Sequence, residues 1–161
     1  MEIKPSTWDE MLLSLEMETL ALGHGVAWEE QRVRQWWDAS RVKALTLKLD
    51  SKPIGFVDAY EIDKGTFSAL EQGFLDPEEL DLAKVGPPEK HFWIGIILIH
   101  PDYRGRGLAT KLLQELSRYA PGRFIGDAYS PGGVSLGSNF GIKVSNPDST
   151  RPLFITPPDD L

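Results

Sequence analysis

Apolar residues along the chain switch between two spacings, and the switches mark out the elements. Residues 2–5 predict a short edge strand ending at Pro5. Thr7-Trp8-Asp9-Glu10 has the form of a capping box, in which the Thr7 hydroxyl caps an orphan amide and Glu10 reaches back. Met11, Leu12, Leu15 and Leu20 follow at near-helical spacing, and Gly23 and Gly25 stop the helix. A second helix is predicted from Trp28 to Ala39, with Val33, Trp36 and Trp37 as its apolar stripe. Residues 42–49 then alternate, with Leu45, Leu47 and Leu49 on one face. Asp50-Ser51-Lys52-Pro53 reads as a turn, and Ile54 to Ile62 as the second strand of a hairpin.

Residues 61–90 differ in character, with eight acids against three lysines. They read as an inserted, ordered loop with a short helix opening at Asp76-Pro77-Glu78-Glu79, proline at its first position. Residues 91–99 are apolar on both faces, the pattern of a central strand. Pro101 to Gly107 is a turn, and Leu108 to Tyr119 an amphipathic helix with Leu108, Leu112, Leu113 and Leu116 inward. Phe124 to Tyr129 predicts another strand. The Ser- and Gly-rich segment 130–141 is a poor helix, since two adjacent glycines cost about 2 kcal/mol of propensity. A helix there is expected to be short, irregular or missing. Residues 142–145 and 152–156 predict two closing strands, and 157–161 a frayed tail.

The chain has 161 residues, the size of one domain, so a single domain over 1–161 with an acidic insert at 61–90 is expected. Net charge is −7, which disfavours nucleic acid and membrane surfaces as partners. Cysteine is absent, which removes disulfides, thiolate metal sites and cysteine nucleophiles. Met1 to Pro5 lacks the charge-then-apolar pattern of a signal peptide, and the longest apolar run, Phe92 to Ile99, is far shorter than the roughly 20 residues of a membrane span. A soluble, cytoplasmic protein is the expectation.

Chemistry concentrates in Ile96 to Leu113, a buried strand running through a tight turn into a helix. Gly105 and Gly107 let backbone approach a ligand closely. The first-turn amides of the helix lack internal partners, and its dipole adds partial positive charge, which suits a phosphate or pyrophosphate. Arg104 and Arg106 raise the local potential. The segment is neither a P-loop nor a dinucleotide-binding Gly-x-Gly-x-x-Gly turn, because both spacings are absent.

Ile99-x-Pro101-x-x-Arg104-x-x-Gly107-x-Ala109 resembles motif A of the GNAT acyltransferase superfamily at every fixed position. The order of predicted elements over residues 2–129 is also similar, as is the opening Ile3 to Glu10. The resemblance implies an α/β fold with a mixed, mostly antiparallel sheet and a central splay. It implies acetyl transfer from acetyl-CoA, with no metal, by direct attack of an amine on the thioester in a ternary complex. Arg104, Gly105, Arg106, Gly107, Leu108, Ala109 and Thr110 would hold the pyrophosphate, and Ile97, Leu98 and Ile99 would pair with pantetheine. The partner would be a small-molecule or peptide amine, and a homodimer is a candidate assembly. A non-catalytic, CoA-binding regulatory module is the alternative.

Attack by an amine needs a group that removes a proton. His91 is the candidate base, against the plainer reading of a strand-entry histidine. It shares strand parity with Trp93, which stands where some family members carry a glutamate. His24, Tyr60 and Glu61 are weaker candidates beside loop and sheet-surface roles, and His100 reads as structural. Trp28, Trp36 and Trp37 are either core or acceptor-pocket wall. The family's usual tyrosine acid aligns with Gly137, so Tyr129 is the substitute candidate for protonating the leaving thiolate, against a packed strand-end aromatic.

Overall fold

The computed structural model describes residues 1–22, 29–80, 86–128, 130–145 and 151–157. His24, Trp28 and Tyr129 lie outside the described residues. One seven-stranded sheet organises the described chain, in the order β1-β2-β3-β4-β5-β7-β6. Its strands are β1 (Glu2–Pro5), β2 (Val42–Leu49), β3 (Lys52–Ile62), β4 (His91–Ile99), β5 (Arg123–Asp127), β6 (Ile142–Lys143) and β7 (Leu153–Ile155). Every pairing is antiparallel except β4 with β5. The mixed sheet is therefore as expected, with the β2–β3 hairpin closed by Asp50 and Ser51 at positive φ.

The helices are α1 (Trp8–Leu22), α2 (Glu30–Asp38), α3 (Lys64–Glu71), α4 (Leu108–Tyr119) and α5 (Pro131–Phe140). The capping box of α1 forms: the Thr7 amide donates to Glu10 Oε1 at 2.9 Å, and the Glu10 amide to Thr7 Oγ1 at 3.2 Å. The two sheet faces carry separate cores. Met11, Leu15, Val33, Trp36, Phe67 and Leu70 from α1, α2 and α3 meet Tyr60, Trp93 and Ile125 on one face. The α4 leucines Leu108, Leu112, Leu113 and Leu116 meet Leu45, Val57, Phe92 and Phe124 on the other. Among the described residues no helix is long and apolar enough to cross a membrane.

Two segments differ from expectation. Residues 61–90 contain the short helical turn expected there, at Pro77–Glu79, but they also form α3, which was not expected. Asp63 caps it through the Thr66 amide, and Phe67 and Leu70 anchor it in the core. The Ser- and Gly-rich segment, expected to be short, irregular or missing as a helix, is the ten-residue α5. Ser130 caps it by accepting from the Gly133 amide at 3.0 Å, and Pro131 takes the first turn. Its glycine content has a packing reason. A Cβ at Gly137 would lie 2.6 Å from Cε2 of Phe154 on β7, so only glycine lets the helix approach the sheet this closely.

Candidate active site

The β4–β5 ladder is short. It pairs His91, Phe92 and Trp93 with Arg123, Phe124 and Ile125 and then ends, while β4 runs on to Ile99. From Ile94 onward β4 keeps only β3 as a neighbour, so the expected splay is present. A bulge sits at its start: Asp58 opposes Ile96 and Ala59 opposes Ile94, which leaves Gly95 as the extra residue. A cleft of about 760 Å³ fills the splay. It is walled by α4 residues from one side of the sheet and by Glu18 and Ala21 of α1 from the other. The opening therefore connects the two faces.

The turn after β4 supplies one end of the cleft. Gly105 and Gly107 have φ of 77° and 74°, a region that L side chains avoid, and Gly107 is the N-cap of α4. The Lys111 amide is the first to bond back, to the Gly107 carbonyl, so the amides of Leu108, Ala109 and Thr110 lack intrahelical partners. The Arg104 side chain is held by Nε donating to the Ile99 carbonyl at 2.9 Å. Of the predicted cradle, Ile97, Leu98, Ile99, Arg104, Gly105, Gly107, Leu108, Ala109 and Thr110 line the cleft. Arg106 does not; its guanidinium lies over the Tyr103 ring, 5.3 Å from the centroid. The arrangement can hold a diphosphate at the helix start and an extended amide-bearing chain along the free edge of β4.

Among the described residues, none of the histidine and hairpin candidates lines the cleft. His91 is at the far end of β4, flanked by Ile62 and Arg123 inside the paired part of the sheet. Its Nδ1 is 2.6 Å from the Glu89 carbonyl and its ring meets Phe67 edge-on. The cleft wall does not include it. Glu61 is buried and accepts the Lys90 amide at 2.9 Å, a fastening for the turn into β4. Tyr60 and Trp36 meet edge to face in the core. His100 caps the turn at Pro101 by accepting the Asp102 amide.

Three carboxyls that sequence reasoning passed over are gathered at the α1 side of the splay. Glu18 is 7% exposed and lines the cleft. Burial, reinforced by the charge of Asp127, pushes its pKa up from 4.5 to about 7. Asp58 is 2% exposed, and burial together with Glu18 drives its carboxyl well above the usual range, partly offset by a hydrogen bond from the Ile96 amide. Asp127 also lines the cleft. Burial raises its pKa while Arg151, whose Nε donates to Oδ2 at 2.7 Å, pulls it down. Tyr60, near the same group, is raised by burial and by Asp58 and Glu18. A carboxyl poised near neutrality in a cleft is equipped to take a proton.

The model of the Acetyltransferase (GNAT) family matches residues 9–129. No curated protein matches the sequence at a significant level. Among solved structures, the ribosomal-protein-S18-alanine N-acetyltransferase from Escherichia coli superposes with a TM-score of 0.60 at 14% identity, over 96% of this chain and 90% of that one. An acetyltransferase from Thermus thermophilus gives 0.59 at 20% identity, over 97% and 96%. The PaiA N-acetyltransferase from Thermoplasma acidophilum, in complex with coenzyme A, gives 0.58 at 13% identity, over 96% and 97%. At these identities the structures share the fold, while the family match spans α1 through the strand after α4. The chain belongs to the Acetyltransferase (GNAT) family and is an N-acetyltransferase.

Proposed function

We propose that the chain transfers an acetyl group from acetyl-CoA to a primary amine by direct attack within the splay. The observation that carries this reading is the cleft itself: it runs from a turn of free helix-start amides on one face to a buried carboxyl, Glu18, on the other. The pyrophosphate would rest on the amides from Gly105 to Thr110, with Arg104 beside it. The pantetheine arm would add to the free edge of β4 at Ile97 to Ile99, and an amide there would donate to the thioester oxygen as charge develops.

The amine arrives as an ammonium ion. Glu18 takes its proton and frees the nitrogen lone pair. The lone pair attacks the thioester carbonyl carbon, a C–N bond forms, the nitrogen gives up its second proton to water, and the C–S bond breaks. The sulfur leaves with the bonding pair as thiolate. Tyr129, next in the chain after the cleft residue Ala128, is our candidate to return a proton to it. This assigns the base to Glu18 in place of His91, whose ring is held outside the cleft.

A thiol-release screen with acetyl-CoA and a broad amine panel tests the reading. Amine-dependent release of free CoA, with one acetamide formed per thiol, supports it. Saturable acetyl-CoA binding with no release for any amine would favour the non-catalytic module instead.

A further inference from the structure

Side chains on β4 change faces part-way along the strand. Trp93 packs in the cluster of α1, α2 and α3, whereas Ile97 and Ile99 pack against the α4 cluster. All three are an even number of residues apart and would share a face in an unbroken strand. The neighbouring β3 alternates regularly over the same stretch, with Val57 and Ala59 in the α4 cluster and Tyr60 and Ile62 in the other. The switch on β4 therefore comes from the bulge at Gly95, because one extra residue turns over everything beyond it. The bulge also decides which amides are free. The His100 amide donates to the Ile54 carbonyl on β3 at 2.8 Å. By alternation the amides of Leu98 and Ile96 point to β3, and those of Ile97 and Ile99 point into the splay.

Asp58 fastens this bulge from β3. It is buried and is not part of the cleft wall. Its carboxyl accepts the Ile96 amide, the first beyond the extra residue. Oδ1 fills the place where a Gly95 side chain would begin, and Cε2 of Tyr60 lies 2.6 Å from the same position. Only glycine at 95 admits the carboxyl, so Asp58 and Gly95 are a matched pair. The arrangement costs stability, since Oδ1 has no hydrogen-bond partner among the described residues and buried polar atoms are almost always satisfied. An apolar side chain of similar bulk would avoid that cost, but it could not accept the Ile96 amide. Burial, reinforced by Glu18, favours the uncharged acid, a form that asparagine copies in shape and charge.

We propose that Asp58 is a positioning residue for acetyl transfer: by holding the Ile96 amide and filling the space over Gly95, its side chain fixes the bulge that turns the Ile97 and Ile99 amides into the splay. This rests on the acetyl-transfer reading and adds to it the residue that aims the donors at the thioester oxygen. Asp58 itself touches neither acetyl-CoA nor amine.

The test uses the full chain with acetyl-CoA, isotope-labelled at the acetyl carbonyl, and no amine. An amide aimed at the thioester oxygen polarises the carbonyl, so the infrared stretch of the bound ligand falls below that of free acetyl-CoA. Wild type and Asp58→Asn should both show this downshift and agree in acetyl-CoA affinity within about threefold. Asp58→Val fills the space and suits a strand but offers no acceptor. It should lose most of the downshift and bind acetyl-CoA about 10-fold more weakly or worse. A side chain that only filled space would give the reverse, with Asp58→Val indistinguishable from wild type. A wild-type downshift in Asp58→Val, or its loss in Asp58→Asn, overturns the proposal. Should Asp58→Val fail to fold, Asp58→Asn decides: a downshift kept supports the proposal and a downshift lost overturns it. A wild type that binds no acetyl-CoA overturns the acetyl-transfer reading and the proposal with it. A wild type that binds acetyl-CoA with an unshifted carbonyl overturns the proposal alone.

Discussion

Glu18→Gln separates the cost of the proposed base from its use. The carboxyl is held up from 4.5 to about 7 by burial and Asp127, which corresponds to roughly 3 kcal/mol against its charged form. Below both values it is protonated in folded and unfolded chains alike and contributes nothing to pH dependence. Between them the unfolded chain loses the proton while the folded chain keeps it, so stability falls as pH rises and the loss is complete above the folded value. Glutamine never ionises. The variant and wild type should therefore match in stability near pH ~4, and the variant should be more stable by up to about 3 kcal/mol near pH ~8. Activity should move the other way, with kcat/KM down about 100- to 10,000-fold. Urea unfolding across that pH range measures the first effect. Thiol release with two amines of different basicity measures the second, because a rising limb near 7 that stays fixed for both amines belongs to the enzyme. A stability difference that does not change with pH, or a Glu18→Gln enzyme at full rate, would refute the assignment.

Four further outcomes are expected. Gly107→Asp places a side chain at φ 74° and a negative charge at the start of α4, and should weaken acetyl-CoA binding by more than about tenfold in a calorimetric titration. Gly137→Ala should lower the melting temperature, since its methyl would meet the Phe154 ring at 2.6 Å and overpacking of about 1–3 kcal/mol exceeds the roughly 1 kcal/mol that alanine gains in a helix. Tyr129→Phe should slow turnover about 10- to 100-fold at unchanged acetyl-CoA affinity, whereas His91→Ala should keep the wild-type pH–rate profile; steady-state kinetics of the two variants distinguish the roles.

What was legible in the sequence is what the chain encodes locally. The leucines of α4, the alternation in β2 and the apolar run of β4 each fix an element from its own neighbours, and the structure returns α4 and β4 with the expected bounds. The turn from Pro101 to Gly107 was equally local, so most residues at this end of the cleft could be named before any fold was known. The misses needed tertiary knowledge. Eight residues with two apolar anchors, Phe67 and Leu70, are too few to show α3 by period, although Asp63 ahead of Thr66 was a usable cap signal. Helix propensity argued against α5, but Phe154 demands a glycine at Gly137 and packing overrode the penalty. His91 had the right strand parity but stands at the wrong end of β4. Glu18 was overlooked because its neighbours Asp58 and Asp127 come from distant strands. One signal did exist: Met11, Leu15 and Glu18 share the buried face of α1, while Leu20 is 80% exposed. A carboxyl in the core stripe of an amphipathic helix breaks the local rule, and such breaks concentrate at working sites.

A crystal structure of the chain grown with CoA tests the central claim most directly. The account predicts the pyrophosphate on the amides between Gly105 and Thr110, the pantetheine along Ile97 to Ile99 in the gap between β4 and β5, and the thiol directed toward Glu18. CoA bound with its pantetheine outside the splay, or a splay that stays free of CoA when the ligand is saturating in solution, would contradict it.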